Sequence, residues 1–335
     1  MHLGIQIPSP SKNLTLPVAG AIALVLGLAA VPAQAQQARS FVSAATGNDA
    51  NAPNCLRLAP CKTFQTAHDA TLANGEITVL DPGSYGSLTI TKNISVINDG
   101  VGEAGILVSG GGTGITVNAP GAAVSLRGLT IKGIGFGGGN GINFTAGAAL
   151  NVENCVIRNP DTLGFGLIFQ PSTSAALQVT NSVFTDNTAS AIFVVPGGSG
   201  NVVGVLDHVG FYNNGFAGLN LMGQGMTGGE IIFTANDSIA SNNGAPGTGS
   251  GFIAQSAANK ALTILTLNRS VASTNPSNGL VAFGTFAFVD VNESMVFRNA
   301  SGWLATGGGQ IFSFGNNAVF DNLANEGPQG SLTLK

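Results

Sequence analysis

Four ionisable side chains occupy one position of a repeated sequence unit, and they are the residues best placed to do chemistry in this chain. They are His208, Asp237, Arg269 and Glu293, and Asp207 directly precedes the histidine. If the units stack in register, neighbouring members lie about 5 Å apart. A histidine beside carboxylates can transfer protons or hold a ligand. The alternative, which the exposed turn position favours, is a solvated row of ion pairs, each worth a fraction of a kcal/mol.

These residues belong to a repeat of about 25 residues that runs from Gly114 to the C-terminus. Each unit opens with a small residue and an apolar one, continues into a strand-like segment, reaches an Asn and ends in a shorter apolar segment. The openings are Gly114, Gly141, Gly166, Ala191, Gly218, Gly251, Gly279 and Gly302. A unit this small cannot bury its own apolar face, so the repeat predicts a solenoid of stacked turns.

Alignment of the units on the Asn predicts which side chains face the core. The aligned positions are Asn154, Asn181, Asp207, Asn236, Asn268, Asn292 and Asn316. Three inward columns are expected. The first follows the openings and contains Ile142, Leu167, Ile192, Leu219, Phe252, Leu280 and Trp303. The second lies four residues before the aligned position and contains Leu150, Leu177, Val203, Ile232, Ile264, Phe288 and Phe312, and the third lies three residues after it and contains Ile157, Phe184, Gly210, Ile239, Val271, Met295 and Val319. Three inward segments per unit predict three parallel sheets.

The aligned Asn residues are expected to form a structural ladder rather than a ligand site. Asn tolerates the left-handed backbone of a tight turn, and its amide can hydrogen-bond to the amide of the next coil. Buried amides persist in such a ladder because they satisfy each other. With the strands before Gly114, we expect about ten coils in a single domain.

The cysteines indicate an oxidising environment. Cys55 and Cys61 lie six residues apart in a Pro-rich loop, and a disulfide staple is favoured over a metal site because no further His or Cys is near. We expect no metal site and no cofactor. Cys155 remains, at a repeat position where the next unit has Ser182, and we interpret it as a small structural residue, with a reactive thiol as the alternative.

The N-terminus resembles a secretory signal. Val18 to Ala30 is apolar or small, Lys12 precedes it and Ala33-Gln34-Ala35 offers a cleavage site, so residues 1–35 are interpreted as a signal peptide and the protein as secreted or periplasmic. An N-terminal membrane anchor is the alternative. With 8% charged residues, a net charge of −4 and no block of like charges, the chain offers no surface for nucleic acid, and the mature part has no apolar run long enough to span a membrane.

Residues 36–75 are expected to form a strand, the disulfide loop and a capping helix, followed by the solenoid over 76–335. Thr63 to Asn74 carries apolar residues at helical spacing, with Thr63 as N-cap and Gly75 as C-cap. A solenoid needs a cover over its first layer, so we place this helix at the open end. His68 on it is expected to be a surface or capping residue.

The run FVSAATGNDAN, PCKTFQTAHDA and GEITVLDPGSYGSLTITKNISVI resembles the N-terminal cap and first coils of secreted pectate-lyase-like proteins, and the Asn-centred units resemble that superfamily's repeats. The resemblance implies an all-β, single-stranded right-handed parallel β-helix with three sheets. It covers nearly all of residues 41–325. In the superfamily's enzymes it also implies a polysaccharide cleft along the first sheet, the one that follows each opening, lined by carboxylates and basic residues.

The predicted outward residues of that first sheet carry no charge. They are Asn143, Ile168, Phe193, Asn220, Ile253, Val281 and Leu304. A polyuronate lyase would need carboxylates for calcium and a basic residue, and a glycosidase would need paired carboxylates. A second apolar patch is predicted on the second sheet, at Leu206, Phe233, Leu265, Leu267, Val289 and Val291. Such patches usually mark contact surfaces, unless the loops at 195–202 and 222–229 fold back over the sheets.

Sugar binding through exposed aromatic rings has little support in this sequence. Trp303 is expected to face inward, Tyr85 to lie in a turn and Tyr212 in a loop. The pairs Asn213-Asn214 and Asn242-Asn243 could still hydrogen-bond to sugars from polar loops.

The sequence therefore predicts an exported, non-catalytic β-helix scaffold or interaction protein that associates with glycans. Its expected partners are a polysaccharide, and a second copy or an envelope protein that docks on the apolar faces. The alternative is a polysaccharide lyase or glycoside hydrolase of the same superfamily with a diverged site.

Overall fold

The computed structural model of the chain describes Met1 and residues 36–133, 139–158, 164–324, 327–328 and 330–332. The predicted signal peptide over residues 1–35 therefore lies outside the described residues, apart from Met1. Residues 35–335 form one compact unit. Among the described residues, no helix has both the length and the apolar character that a membrane span requires.

The N-terminal part alternates short strands with one helix. In chain order it contains β1 (Gln37–Val42), a short 3-10 turn (Asp49–Asn51), α1 (Phe64–Ala70), β2 (Thr71–Val79), β3 (Gly83–Ser84), β4 (Leu88–Ile90), β5 (Ile94–Ile97) and β6 (Ala104–Val108).

The regular turns follow, each with three strands. They are β7 (Ile115–Asn118), β8 (Ala123–Arg127), β9 (Leu129–Gly133), β10 (Ile142–Ala146), β11 (Ala149–Glu153), β12 (Val156–Arg158), β13 (Leu167–Phe169), β14 (Ala175–Thr180), β15 (Val183–Thr185), β16 (Ile192–Val194), β17 (Val202–Asp207), β18 (Gly210–Tyr212), β19 (Ala217–Met222), β20 (Glu230–Asn236), β21 (Ile239–Ser241), β22 (Ser250–Gln255), β23 (Leu262–Asn268), β24 (Val271–Ser273), β25 (Asn278–Phe283), β26 (Ala287–Asn292), β27 (Met295–Phe297), β28 (Ser301–Thr306), β29 (Gln310–Ser313), β30 (Ala318–Phe320) and, last, β31 (Gly330–Ser331).

Successive strands of a turn enter three different parallel sheets. Within the described residues the first sheet has nine strands (β4 to β28), the second has twelve (β1 to β31) and the third has ten (β3 to β30). The predicted all-β, three-sheet parallel solenoid is therefore confirmed. The regular part comprises about eight turns, β7–β9 through β28–β30, so the expected ten coils are reached only if the strands β2–β6 before it are counted as turns.

Apolar side chains from the three sheets meet in one continuous core. The column after each opening faces inward as predicted: Ile142, Leu167, Ile192, Leu219, Phe252 and Leu280 are fully buried, and Trp303 is 2% exposed. Aromatic rings stack along the axis, as Phe144 does on Phe169 with centroids 4.3 Å apart. Removal of such side chains from water is the main contribution to the stability of the stack.

The predicted columns of the second and third sheets are wrong by one residue from the fourth regular turn onward, except at Val319, which lies in the inward column beside Val296. The strand register pairs Thr180 with Asp207, so Asn181 is the counterpart of His208 rather than of Asp207. Because side chains alternate along a strand, a one-residue shift exchanges the two faces. Phe233, Leu265 and Val289 are consequently buried in the core, whereas Val203 is 44% exposed.

The shift corrects two sets of predictions. The residues predicted to face outward on the second sheet, Leu206, Phe233, Leu265, Leu267, Val289 and Val291, are all buried, so no apolar patch forms from them. The residues predicted to face inward at Ile232, Ile264, Phe288 and Phe312 are only partly buried, and Ile239 and Met295 of the third sheet are 38% and 40% exposed.

The turn between the second and third sheets explains the shift. One residue in each turn adopts a left-handed backbone, with φ of 52° at Asn154, 49° at Asn181, 54° at His208 and 47° at Asp237. Asn is among the non-glycine residues that tolerate this conformation best. In later turns the left-handed residue is Asp237, Arg269 or Glu293, and the Asn stands one residue earlier, at the end of the strand. Alignment on Asn therefore mixes two structural positions.

A partial Asn ladder exists at that earlier position. Nδ2 of Asn268 donates to Oδ1 of Asn236 (3.2 Å), Asn292 donates to Asn268 (2.7 Å), and Asn316 donates to Asn292 (2.8 Å). Asn154 and Asn181 occupy the left-handed position instead. Asp207 aligns with Asn236 in the strand register.

A second Asn ladder, which the sequence analysis missed, is buried where the third sheet turns back to the first. Its members are Asn187, Asn214, Asn243, Asn275, Asn299 and Asn322. Each Oδ1 accepts from both the backbone N–H and the Nδ2 of the preceding member, as Asn243 does from Asn214 at 3.2 and 2.8 Å. Asn214 and Asn243 are therefore unavailable to sugars, contrary to the prediction from their loops.

Helix α1 covers the edge of the first sheet beside β4. Oε1 of Gln65 accepts from the backbone N–H of Thr89 (2.8 Å), and Nε2 of His68 accepts from that of Thr91 (3.3 Å). His68 is 3% exposed, so it is a capping residue and not a surface one. Its pKa is lowered, chiefly by burial.

The ends of α1 match the prediction only at the N-terminus. The Thr63 hydroxyl accepts from the backbone N–H of Thr66, as an N-cap does. The helix ends at Ala70 and not before Gly75, because the chain from Thr71 onward pairs with β1. Cys55 and Cys61 are joined in a disulfide in the preceding loop.

We predict that the loss of a single amide from the buried ladder lowers the stability of the protein substantially. In Asn243→Ala, the backbone N–H and Nδ2 of Asn214 lose their acceptor inside the protein, and we expect a loss of about 1–3 kcal/mol in the free energy of unfolding, measured by chemical denaturation. Asn118→Ala, at an exposed strand end, is the matched control and should change little. Equal effects of the two substitutions would contradict a structural role for the ladder.

Candidate functional site

The ionisable residues singled out in the sequence do meet, at the turn between the second and third sheets. Strands β17, β20, β23 and β26 end side by side in register at Asp207, Asn236, Asn268 and Asn292. The next residue of each turn is therefore the left-handed one, and these are His208, Asp237, Arg269 and Glu293. The predicted succession along the stack is thus present, and we call these four residues with Asp207 the turn cluster.

Within the turn cluster, Arg269 holds Asp237 through two hydrogen bonds. Its Nε and one terminal nitrogen lie 3.0 and 2.7 Å from the two carboxylate oxygens. The hydrogen bonds from Arg269 lower the pKa of Asp237 below its usual value, and the same contact raises the pKa of Arg269. Glu293 attracts Arg269 at longer range.

His208 lies beside Asp207 at the other end of the cluster. Its Nδ1 is 3.2 Å from Oδ2 of Asp207, and the two side chains are 60% and 40% exposed. A carboxylate on one ring nitrogen orients the imidazole and leaves the other nitrogen for a ligand. The arrangement could therefore transfer a proton to or from a molecule lying over the turn, although its exposure also fits the ion-pair interpretation.

Asp207, His208 and Asp237 also place three potential metal ligands together. One ligand atom from each lies within 4.8 Å of the others. Arg269 opposes a cation there, because its guanidinium already occupies both oxygens of Asp237. The expectation of no metal site therefore stays a prediction.

The outer face of the first sheet is uncharged, as predicted, and partly covered. The register stacks Asn143, Ile168, Phe193, Asn220, Ile253, Val281 and Leu304 in one outward column. Ile253 and Val281 are nevertheless only 4% and 8% exposed, and they form a small apolar cluster with Ala217. Nε2 of Gln255 donates to Oδ1 of Asn220 at 2.7 Å. Ile168, Phe193 and Leu304 remain half-buried, and association through this face stays a prediction.

The outer face of the second sheet carries polar columns that the sequence analysis missed. Ser95, Ser125, Asn151 and Gln178 stack in register, and Val205, Thr234 and Thr266 continue the column. The sequence signal is a triplet of Ala, a large aliphatic residue and a polar residue: Ala123-Val124-Ser125, Ala149-Leu150-Asn151 and Ala176-Leu177-Gln178. Two residues after Val205, Thr234 and Thr266, the strands end at Asp207, Asn236 and Asn268, beside the turn cluster.

Cys155 is a structural residue, as expected. It belongs to a buried column in which the backbone N–H of Cys155 donates to Oγ of Ser182 (3.1 Å), and that of Ser238 to Oγ of Ser270 (3.2 Å). Burial raises the pKa of the Cys155 thiol to about 12, so at neutral pH it is not a nucleophile.

Of the aromatic residues considered for sugar stacking, Tyr85 lies between β3 and β4, as expected for a turn, and Tyr212 is placed differently from expectation. Trp303 faces the core as predicted. Tyr85 is fully buried, with its hydroxyl hydrogen-bonded to Asp81. Tyr212 is the last residue of β18 and not part of a loop.

Substitution of Arg269 should remove the interaction that lowers the pKa of Asp237. In Arg269→Gln we expect the pKa of Asp237, followed by NMR titration, to rise toward 3.8, its value without neighbours. A carboxyl with a lowered folded-state pKa stabilises the protein above pH 3.8, and that stability is lost as the pH falls through the lower value. The wild type should therefore lose stability more steeply than the variant below about pH 4. An unchanged titration of Asp237, like that expected for the control Arg158→Gln, would show that the pair does not form.

Comparison with known proteins gives matches in structure but not in sequence. No family model and no curated protein matches the chain. A rhamnogalacturonan lyase aligns over 82% of this chain and 75% of its own, with 13% identity and a TM-score of 0.56. Tailspike protein 2 of Escherichia coli O157:H7 bacteriophage CAB120 aligns over 82% of this chain and 42% of its own, with 12% identity and a TM-score of 0.53. At such identities the likeness concerns the backbone alone, and together with the three parallel sheets it identifies the fold of this chain as a right-handed parallel β-helix.

Proposed function

We propose that this protein is a carbohydrate-active β-helix protein that binds an extended polysaccharide along the edge of the second sheet. The observation that carries the proposal is a row of polar side chains repeated once per turn. Its members are Arg127, Glu153, Thr180, Asp207, Asn236, Asn268 and Asn292, stacked in register at the ends of seven neighbouring strands.

A repeated row suits a repeating ligand. Adjacent members are separated by the distance between parallel strands, so equivalent donors and acceptors recur along the stack at about 4.8 Å. Amides and carboxylates supply both kinds of hydrogen-bonding group to sugar hydroxyls. The members are half-buried or exposed. Asn268 and Asn292 each use one amide N–H in the partial Asn ladder, which leaves their second N–H for a ligand. A single small molecule would use only one or two of them.

The structural matches support the same ligand class. One neighbour is by its name a lyase of rhamnogalacturonan, a polysaccharide. This likeness favours the carbohydrate-active alternative over the non-catalytic scaffold that the sequence favoured. We also propose that the protein meets its polysaccharide outside the cytoplasm, because the N-terminal sequence has the features of a secretory signal.

A second candidate function is cleavage of the bound polysaccharide by the turn cluster, which runs beside the row from Asp207 to Asn292. His208 is oriented by Asp207 and is the group able to accept or donate a proton. Arg269 supplies a cation two turns away along the stack, where it is paired with Asp237. Lyases require such a base together with a cation near the sugar carboxylate, and hydrolases require an acid and a base.

Binding is tested with residues 36–335 and immobilised rhamnogalacturonan, polygalacturonate, galactan and xylan. We expect the wild type to bind at least one of them. The double substitution Asn236→Ala with Asn268→Ala should raise the dissociation constant for that polysaccharide in solution, measured by calorimetry, about tenfold. The control is Asn118→Ala with Asn201→Ala, which removes two exposed amides away from the row. Failure of the folded wild type to bind any of the four polysaccharides would overturn the proposal.

Cleavage is tested on the same polysaccharides by the formation of unsaturated uronate, which absorbs ultraviolet light, and of new reducing ends. If the turn cluster is catalytic, His208→Ala should abolish product formation while binding persists, since a proton-transfer group typically contributes a factor of about 10² to 10⁴ to the rate. Arg158→Gln serves as a surface control. Equal product formation by His208→Ala and the wild type would exclude the cluster as the catalytic site.

A further inference from the structure

A shallow groove lies on the outer face of the second sheet, in its N-terminal half, away from the turn cluster. Its floor combines two columns that the register places side by side. Ala123, Ala149 and Ala176 stack in one column, and Ser125, Asn151 and Gln178 stack in the other. The large residues between them point into the core, so both columns face outward. We call this the Ala–Asn groove, and its volume is about 430 Å³.

Side-chain size changes along the column that forms one side of the groove. The alanine column continues along the stack as Val203, Ile232, Ile264 and Phe288, in register with Ala176. A second depression of about 450 Å³ lies over Val203, Val205 and Ile232, so the larger side chains change the floor without closing the face. The groove with the alanine floor extends over five strands, from Asn74 of β2 to Gln178 of β14.

Every residue that lines the groove is uncharged. The remaining lining residues include Asn74, Asn93 and Ser95. Glu76 stands next to Ser95 in the polar column but is already paired with Arg39, at 2.9 Å. Asn93 is also engaged, because its Oδ1 accepts from Ala123 and its Nδ2 donates to Asn74. Nothing in the groove would compensate the charge of an anionic ligand once water is displaced.

Asn151 carries a hydrogen-bond acceptor without a partner. Its Oδ1 is buried and accepts no hydrogen bond within the described part of the chain. Its Nδ2 makes only a long contact of 3.5 Å with Oγ of Ser125. A buried acceptor left unsatisfied costs free energy. Because Asn151 lines the groove, a turn of its amide would bring Oδ1 to the surface, where a ligand hydroxyl could donate to it. Gln178, the next member of the column, is exposed and can follow the same ligand.

We propose that the Ala–Asn groove is a subsite for a neutral glycan. A pyranose ring has an apolar C–H face and a rim of hydroxyl groups, and the groove offers a matching alanine strip and amide strip. The sugar ring lies against Ala123, Ala149 and Ala176, and its hydroxyls bond to Asn151, Gln178 and Ser125. The inference rests on the proposed polysaccharide function and specifies its substrate class at this place as uncharged.

The test uses β-1,4-galactotetraose, cellotetraose, xylotetraose and, as the charged probe, tetragalacturonate, each titrated into ¹⁵N-labelled residues 36–335. We expect at least one neutral tetrasaccharide to shift the amide signals of β8, β11 and β14, and tetragalacturonate to leave them unchanged. Ala149→Phe fills the groove and should weaken the neutral ligand at least about tenfold. The column tolerates this residue elsewhere, since Phe288 occupies the same position. Ile264→Phe, in the same column outside the groove, is the matched control and should leave affinity unchanged.

Asn151→Ala separates binding from folding. Because Oδ1 of Asn151 has no partner, its removal should not lower the thermal unfolding temperature, yet it should weaken the neutral tetrasaccharide several-fold. Shifts confined to the polar row at Asp207 and Asn236, unaffected by Ala149→Phe, would overturn the groove inference and leave the polysaccharide proposal standing. Equal shifts with tetragalacturonate would overturn the neutral specificity. Absence of binding by any probe and any polysaccharide would overturn both.

Discussion

The in-register hydrogen bonding of each turn to the next is the constraint on which the rest of this molecule depends. A parallel sheet satisfies its backbone groups only between strands that lie about 4.8 Å apart, so each of the three strands in a turn must meet its counterpart. Turns between strands must then have a nearly fixed geometry. The left-handed residue after each strand of the second sheet, from Asn154 to Glu293, meets this requirement. Loops of variable length are accommodated only where the turn permits them, between the first and second sheets and between the third and first.

Because the turns stack in register, a polar residue that recurs in each turn forms a row along the stack. Its burial determines whether the row stabilises the protein or is available to a ligand. Asn243 is fully buried, and its amide is consumed by Asn214 and Asn275 of the neighbouring turns. Asn242, one residue earlier, is exposed. A buried polar group must find its partners within the protein, whereas an exposed one exchanges them with water or with a ligand. The same residue type therefore stabilises the stack at one position and is available for recognition at the next.

The outer faces of the three sheets differ because side-chain size and polarity vary slowly from turn to turn. The first sheet places aliphatic residues outward, and Ile253 and Val281 are nearly buried there. The second sheet changes from alanine at Ala149 to phenylalanine at Phe288 along one column, so methyl groups form the floor of the outer face in one half and larger side chains form it in the other. Features of this kind follow from volume and charge at equivalent positions, so a solenoid can vary its surface without altering its backbone.

The sequence alone determined the repeat, the parallel three-sheet architecture and the inward column of the first sheet, since the small-residue openings mark the same structural position in every turn. It also determined the N-cap at Thr63 and the pairing of Cys55 with Cys61. It did not determine the register of the second and third sheets, the buried Asn ladder or the Ala–Asn groove. Asn occurs at two adjacent positions of one turn, and side chains alternate with a period of two, so an alignment error of one residue exchanges core and surface. Only the backbone pairing of Thr180 with Asp207, a contact between turns, decides which face each side chain takes.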